Sequence, residues 1–388
     1  MFRILPTATR SHASVAAYAF IALLTLSGCT TVAPPPRGVD YAAPVPVTPA
    51  KPSSPAPAAP AAHMREWRAA GAGLDAAYER SALLSDTFYR NADALLRQVE
   101  KSGAMGVNRG WEAAARKSGN WFIEEQRFAD TVIGAGVNRN RDDLINAGVL
   151  AIEWGFAQQS ADGSFPCADN YLGASYFVAA TAHSIWLLET TGYARNYAQR
   201  IEKIRPKLTR AAQWLADPNR AKAAFTQHDT FTSRYLLTGY ALGATARVTS
   251  NPALSSAGEE IVRIGLSKLH ASGYFPEAGG FDVSFQAEAL VYALRYYDHA
   301  ATADMRRDIE PSIRRALGWL ESRVASNGVV QAAGNTRSGS AKERDRTGQF
   351  RRVSAVAVSR AFGLARAVLG DNKYDGLARA VASARQPS

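Results

Sequence analysis

Cysteine and histidine are scarce in this chain, with two and six among 388 residues. The histidines are scattered, and none is paired at a ligand spacing such as His-x-x-x-His. No metal site and no cofactor are therefore expected. Long apolar runs are also missing. Val15 to Leu26 is too short to span a bilayer, and no second run is long enough. No stretch alternates apolar and polar residues in the manner of strands, which leaves an all-helical body. Acidic residues are in deficit: Lys and Arg number 45 against 34 Asp and Glu, a net charge of +11.

The start of the chain stands apart from the rest. Arg3 and Arg10 form a sparse basic region ahead of the Val15–Leu26 apolar stretch, which ends in Leu26-Ser27-Gly28-Cys29. This resembles a bacterial lipoprotein signal. The resemblance implies that residues 1–28 are removed and that Cys29 becomes the lipidated N-terminus. Thr30 follows, with no Asp that would imply retention in the inner membrane. The expected address is the outer membrane, lipid-anchored, with the body in the periplasm. Residues 29–62 hold ten of the eighteen prolines and read as an extended linker. With Cys29 acylated, Cys167 is the one remaining thiol and no internal disulfide can form.

Residues 63–388 suit one domain. Without the leader, 43 Lys and Arg face 34 Asp and Glu, an excess of nine. A basic periplasmic body attracts polyanions, such as acidic polysaccharide or lipid headgroups. The membrane is met through the N-terminal lipid anchor, and nucleic acid is not expected at that address.

The body is organised around one stretch, residues 157–176. Asp162-Gly163 makes a turn that needs a left-handed backbone. Phe165-Pro166 fixes the chain after it, and Asp169, Asn170, Tyr171 and Tyr176 follow closely. The plan recurs at 269–286, with Gly273, Phe275-Pro276, Phe281, Asp282 and Gln286. A weaker third copy lies at 324–331. Repeated hairpins whose loops gather on one face are the mark of a stacked or circular helical array.

Helices are expected near 66–99, 107–117, 120–133, 141–159, 173–192, 198–215, 229–248, 256–271, 283–300, 305–325, 351–369 and 372–384. Gly134-Ala-Gly136, Asp217-Pro-Asn219, Asn251-Pro252 and Gly370-Asp371-Asn372 read as breaks between them. The expected fold is all-α, an (α/α) toroid or barrel of about six helical hairpins, with an open solenoid as the alternative. The polar loop from Asn335 to Gln349 is a candidate lid.

Asp162-Gly163-Ser164-Phe165, then Tyr171, Gly173-Ala174 and Tyr176, is similar to the segment of hyaluronate and chondroitin lyases that carries their catalytic Tyr. Toroidal alginate lyases have a similar Asp-Gly turn, Pro and Tyr. The resemblance implies an (α/α) toroid and a uronate lyase with Tyr176 as acid and base. Where hyaluronate lyases place a His after this motif, Cys167 and Ala168 stand here.

Elimination across a uronic acid needs a partner for the sugar carboxylate, a base for the C5 proton and an acid for the leaving oxygen. Candidates for catalysis are Tyr176, His228, Asn170 and Arg234. Candidates for substrate binding are Tyr171, Asp169, Tyr235, Tyr240, Phe281, Asp282, Gln286 and Arg337. Each has a plainer role: a packing Tyr, a helix cap for His228 and Asp282, an ion pair for Arg234, a turn for Asn170. His183, deep in a helix, reads as a core or surface residue. One rival is a glycoside hydrolase using two of Asp169, Glu277 and Asp282. The other is a lipoprotein that binds exported polysaccharide without reaction.

Overall fold

The computed structural model describes residues 73–110, 121–227, 229–339, 343–345 and 348–386. The signal, Cys29, the linker and His228 lie outside the described residues. Fourteen α-helices and no strands are found among the described ones. They are α1 Leu74–Glu79, α2 Ala82–Thr87, α3 Ala92–Leu96, α4 Ala129–Arg139, α5 Asp142–Ala157, α6 Asn170–Thr191 and α7 Ala194–Leu215. There follow α8 Pro218–Gln227, α9 Thr232–Thr249, α10 Pro252–Ser267, α11 Val283–His299, α12 Ala303–Glu321, α13 Ala355–Leu369 and α14 Lys373–Ser383.

Two kinds of helix alternate. From Gly173 to Leu188, α6 is buried on every side except at Tyr176, and α9 is buried over nearly its whole length. By contrast, α7 buries one stripe, Tyr197, Ile201, Ile204, Leu208, Ala211 and Leu215, and α12 does the same from Met305 to Leu320. Helices apolar all round belong inside, and those with one apolar stripe belong outside. The packing order agrees. α4 packs on α6, α6 on α9, α9 on α11 and α11 on α13, while α5, α7, α10, α12 and α14 each back their own inner helix. The short α1 lies against α13, α11, α6 and α4.

The repeated turns give this packing its register. Gly163 and Gly273 share φ of 95°, and Gly328 has φ of 80°. A Cβ on Gly273 would sit 2.7 Å from the Arg315 carbonyl oxygen and 3.1 Å from Trp319 Cβ, on α12. Gly163 meets Arg210 and Trp214 of α7 in the same way, and Gly328 meets Ala380 and Ala384 of α14. A fourth copy, not expected from sequence, lies at Gly103, whose Cβ would fall 2.9 Å from Trp154 Cβ on α5. Two residues after each glycine, a buried apolar side chain plugs the core: Met105, Phe165, Phe275 and Val330.

Glutamine amides lock three of these turns. Gln286 Nε2 donates to the carbonyls of Gly273 (3.2 Å) and Ala316 (3.1 Å), and its Oε1 accepts from the Phe275 N–H (2.7 Å). Gln126 makes the corresponding bonds to Gly103, Ala151 and Met105, and Gln386 those to Gly328, Val381 and Val330. Gln286 is fully buried and saturated by backbone, so its place is in the scaffold.

Element boundaries differ from expectation in several places, and Gly134-Ala-Gly136, expected as a break, lies within α4. The run at 66–99 breaks from residue 73 onward into α1, α2 and α3, with Asn91 capping α3 by accepting from Ala94 N–H at 3.0 Å. Residues 106–108 and 123–128 form 3₁₀ turns where longer helices were expected. Asp217-Pro-Asn219 marks a break between helices as expected, but it also starts α8, which was not expected; a proline lacking N–H fits the first helical position.

Replacing Gln286 by Ala leaves the Phe275 N–H and the Gly273 carbonyl buried without partners. We expect a loss of about 2–4 kcal/mol in urea unfolding. Unchanged stability would show that the turn does not depend on this amide.

Candidate functional site

One cavity of about 580 Å³ opens where the inner helices begin. Asp169, Leu172 and Tyr176 reach it from the start of α6, Ser233 and Arg234 from α9, and Ser284, Glu288, Tyr292 and Arg295 from α11. Ser354, Ala357 and Arg360 come from α13, and Glu124 and Arg127 from the turn before α4. Helix N-termini carry partial positive charge, so four of them around one hollow favour an anion there. Seven arginines line the wall, with six carboxylates and no lysine or histidine among the described residues.

Four of the residues anticipated from sequence meet at this cavity: Asp169, Tyr176, Arg234 and Arg337. Arg234 is half-buried, with its guanidinium 4.5 Å from the Phe231 ring. Its Nη1 is buried without a hydrogen-bond partner. Burial lowers its pKa, with Asp169 opposing and Arg337 reinforcing that shift. An arginine stays charged under these conditions, so Arg234 presents an unsatisfied cation. Asp169 has φ of 51°, a left-handed conformation uncommon for a residue with a side chain.

Tyr176 packs beneath Arg127, 4.3 Å from guanidinium to ring, and its ring centre lies 6.4 Å from that of Tyr292. Burial and Glu288 push its pKa up, and Arg127 only partly offsets them. The hydroxyl is held neutral, which counts against the expectation of Tyr176 as base as well as acid. Tyr176 is therefore suited to give a proton rather than to take one.

Arg337 is already engaged. Its guanidinium binds Glu343 (2.8 Å) and Glu277 (3.0 Å) and lies 3.5 Å from the Phe285 ring centre. Burial raises the Glu277 carboxyl to about 7, against the pull of Ser233 and Arg337. Asp282 caps α11 through the Ser284 and Phe285 N–H groups and accepts from the N–H groups of Arg337 (3.0 Å) and Ser338 (2.6 Å). The candidate lid is thus fastened at its start.

The remaining candidates lie off the cavity wall. Asn170 is exposed at the first position of α6. Tyr171 donates to the Leu215 carbonyl at 3.0 Å and packs on Trp214. Tyr235 donates to Asp229 at 3.0 Å and stacks on Phe225. Phe281 packs on Trp319 and Tyr274. Tyr240 is fully buried, 3.0 Å from His299 Nδ1.

Beneath the cavity lies a buried ionic cluster that sequence reasoning did not find. Arg295 faces Asp75 (3.2 Å) and Glu79 (3.0 Å) of α1 and Asp130 (3.2 Å) of α4. Arg360 also pairs with Glu79. His183 sits between Asp130 and Asp75, the latter at 2.8 Å, with each ring nitrogen facing a carboxylate. Burial and Arg295 oppose a proton there, but the two carboxylates prevail and hold its pKa above the ordinary imidazole value. The same surroundings hold Asp75 and Asp130 below the usual carboxylate range despite burial. His299 differs: burial drives it down to about 4, with Asp75 only partly compensating.

Asp75, His183 and His299 bring three ligating atoms within 4.8 Å of one another. The 2.8 Å separation is that of a hydrogen bond, and Arg295 already supplies positive charge to the same oxygen. The trio therefore fits a shared proton better than a metal ion. Polar spacing on α11 was the missed signal. Glu288, Tyr292 and Arg295 share one face of α11.

Stability should carry the signature of this cluster. The unfolded chain takes up a proton at His299 below about pH 6.5, and the folded protein refuses it until about 4, so stability rises with pH across that window. Burial raises Asp298 to about 6, which acts with the opposite sign below that value. His183 stabilises fully below the ordinary imidazole value and loses this as pH rises through its folded value. In His299→Gln the acid-side slope should flatten by up to about 1.4 kcal/mol per pH unit, measured by denaturant unfolding at stepped pH. A slope equal to that of the unsubstituted protein would contradict a neutral buried His299.

No family model matches the chain, and neither a curated protein nor a solved structure does.

Proposed function

We propose that this protein is a lipid-anchored lyase that cleaves a uronate-containing polysaccharide by β-elimination. Its helices are read as an (α/α) toroid, on the strength of the order in which α4, α6, α9, α11 and α13 pack and of α1 bridging α13 to α4. Attachment through Cys29 would hold the body in the periplasm at the outer membrane. The excess of nine basic charges suits an acidic polymer.

Arg234 carries the functional reading. A half-buried guanidinium on the wall of a hollow faced by four helix N-termini, with its buried Nη1 left unpartnered, suits an anionic group. A sugar carboxylate placed there loses its negative field, and the adjacent C5 proton becomes acidic. Tyr176, held neutral on the same wall, gives its proton to the departing glycosidic oxygen. The C5–H and C4–O bonds break, a C4–C5 double bond forms, and the product carries an unsaturated uronate end.

Glycoside hydrolysis is the second reading, favoured by the carboxylates on the wall. Of its three anticipated carboxylates, Glu277 and Asp282 are buried and bound by the scaffold, and Asp169 alone lines the cavity. Glu288 would have to join it.

Purified protein mixed with a panel of uronate polymers should give rising absorbance near the ultraviolet edge. Arg234→Gln should lower kcat/KM by about 10²–10³. New reducing ends without that absorbance would establish hydrolysis. Polymer retarded in an affinity gel without either product would establish binding alone.

A further inference from the structure

Within the lyase reading, on which this inference rests, the residue that takes the C5 proton is unassigned. Tyr176 is unsuited to it, being held in its neutral form. Arg234 and Arg127 are cations, and His228 lies outside the described residues. Three groups near the cavity floor deserve comparison as acceptors: Glu124, Asp130 and Glu288. Glu124 pairs with Arg127, and Asp130 is divided between His183 and Arg295. Glu288 is different. It is half-buried, lines the cavity, and forms no ion pair or hydrogen bond with a described residue. One turn further along α11, Tyr292 shares its face and places a ring 6.4 Å from that of Tyr176.

An unpaired carboxylate among seven arginines is an unusual arrangement. The scaffold pairs other buried and half-buried carboxylates closely: Glu79 with Arg295 and Arg360, and Glu343 with Arg337 and Arg351. A carboxylate left without a donor keeps its lone pairs free to take a proton. The Tyr176 phenol and the Arg234 guanidinium line the same hollow, as donor and as carboxylate partner.

We propose that Glu288 is the catalytic base of this site, acting with Tyr176 as the acid. The Glu288 carboxylate takes the C5 proton of a uronate whose carboxylate rests on Arg234. The electron pair from the C5–H bond forms the C4–C5 double bond, and the C4–O bond breaks. The leaving oxygen takes the Tyr176 proton, and Tyr176 regains one from Glu288 or water after product leaves. Base and acid are thus separate groups. Proton removal and bond cleavage can then be separated by substitution.

The test uses the full chain, a uronate oligosaccharide cleaved by the unsubstituted protein, and heavy water. Glu288→Gln should lower kcat by about 10²–10⁴ with little change in oligosaccharide affinity by calorimetry, and should abolish deuterium entry at C5 of recovered substrate. Tyr176→Phe should also stop cleavage yet still allow that exchange. Glu288→Asp, which keeps a carboxylate, should retain exchange at a reduced rate and serves if the Gln variant fails to fold. Cleavage by Glu288→Gln within about threefold of the unsubstituted rate, or continued exchange in that variant, would overturn the assignment while leaving the lyase reading intact. Absence of unsaturated ends with the unsubstituted protein would overturn the lyase reading and this role with it.

Discussion

The buried Arg295 guanidinium is the constraint on which the rest of the structure leans. It projects from α11 and meets a carboxylate on each side, from α1 and from α4. A charge taken out of water is tolerable only when opposing charges and hydrogen bonds surround it. Asp75 and Glu79 meet that need from a helix of six residues, too short to be stable by itself. The same ion group therefore makes α1 necessary and holds it. Removing a single partner would leave an unpaired buried charge, which costs far more than the pair contributes. Asp298 adds to the fastening by accepting from the N–H groups of Gly73 and Asp75.

The location of this cluster matters for function. Asp130, Arg295 and Arg360 belong both to the ion group and to the cavity wall. The floor of the hollow is thereby fixed by charges that cannot turn away without breaking the core. Preorganised charge stabilises a developing anion because no reorientation is needed during reaction. Above this floor, Arg234 and Glu288 are among the wall groups that the scaffold leaves without a fixed partner, and they have opposite signs. A site that binds a carboxylate and removes a neighbouring proton needs such a pair and a proton donor beside it.

The helical character and the repeated turns could be read from the sequence. A left-handed glycine followed by a buried aromatic is a local demand, and Gly163-x-Phe165 and Gly273-x-Phe275 display it openly. At Gly103 the plug is Met105, and without Phe-Pro the copy escaped notice. A further regularity stands in the outer helices. Pro206, Arg210 and Trp214 recur as Pro311, Arg315 and Trp319 at the same spacing, and the Arg and Trp of each set receive the turn glycines.

The site was harder to read for a physical reason. Polar residues in loops were weighted as functional, yet loops need caps and braces of their own. Asp282, Gln286, Tyr171 and Tyr235 serve those needs. Charges on inner helices looked like ordinary helix surface. Whether Glu288 or Arg295 faces solvent, core or cavity depends on what packs across from α11, which spacing alone does not contain. Tyr176, Arg234 and Asp169 were found because each lies just past a turn, at the helix start that opens on the hollow.

A crystal structure of the protein soaked with a uronate oligosaccharide would show whether the cavity holds the sugar. Sugar density is expected there, with one carboxylate within hydrogen-bonding distance of the Arg234 guanidinium. A sugar bound only on the outer helices, with the cavity empty at saturating ligand, would contradict it.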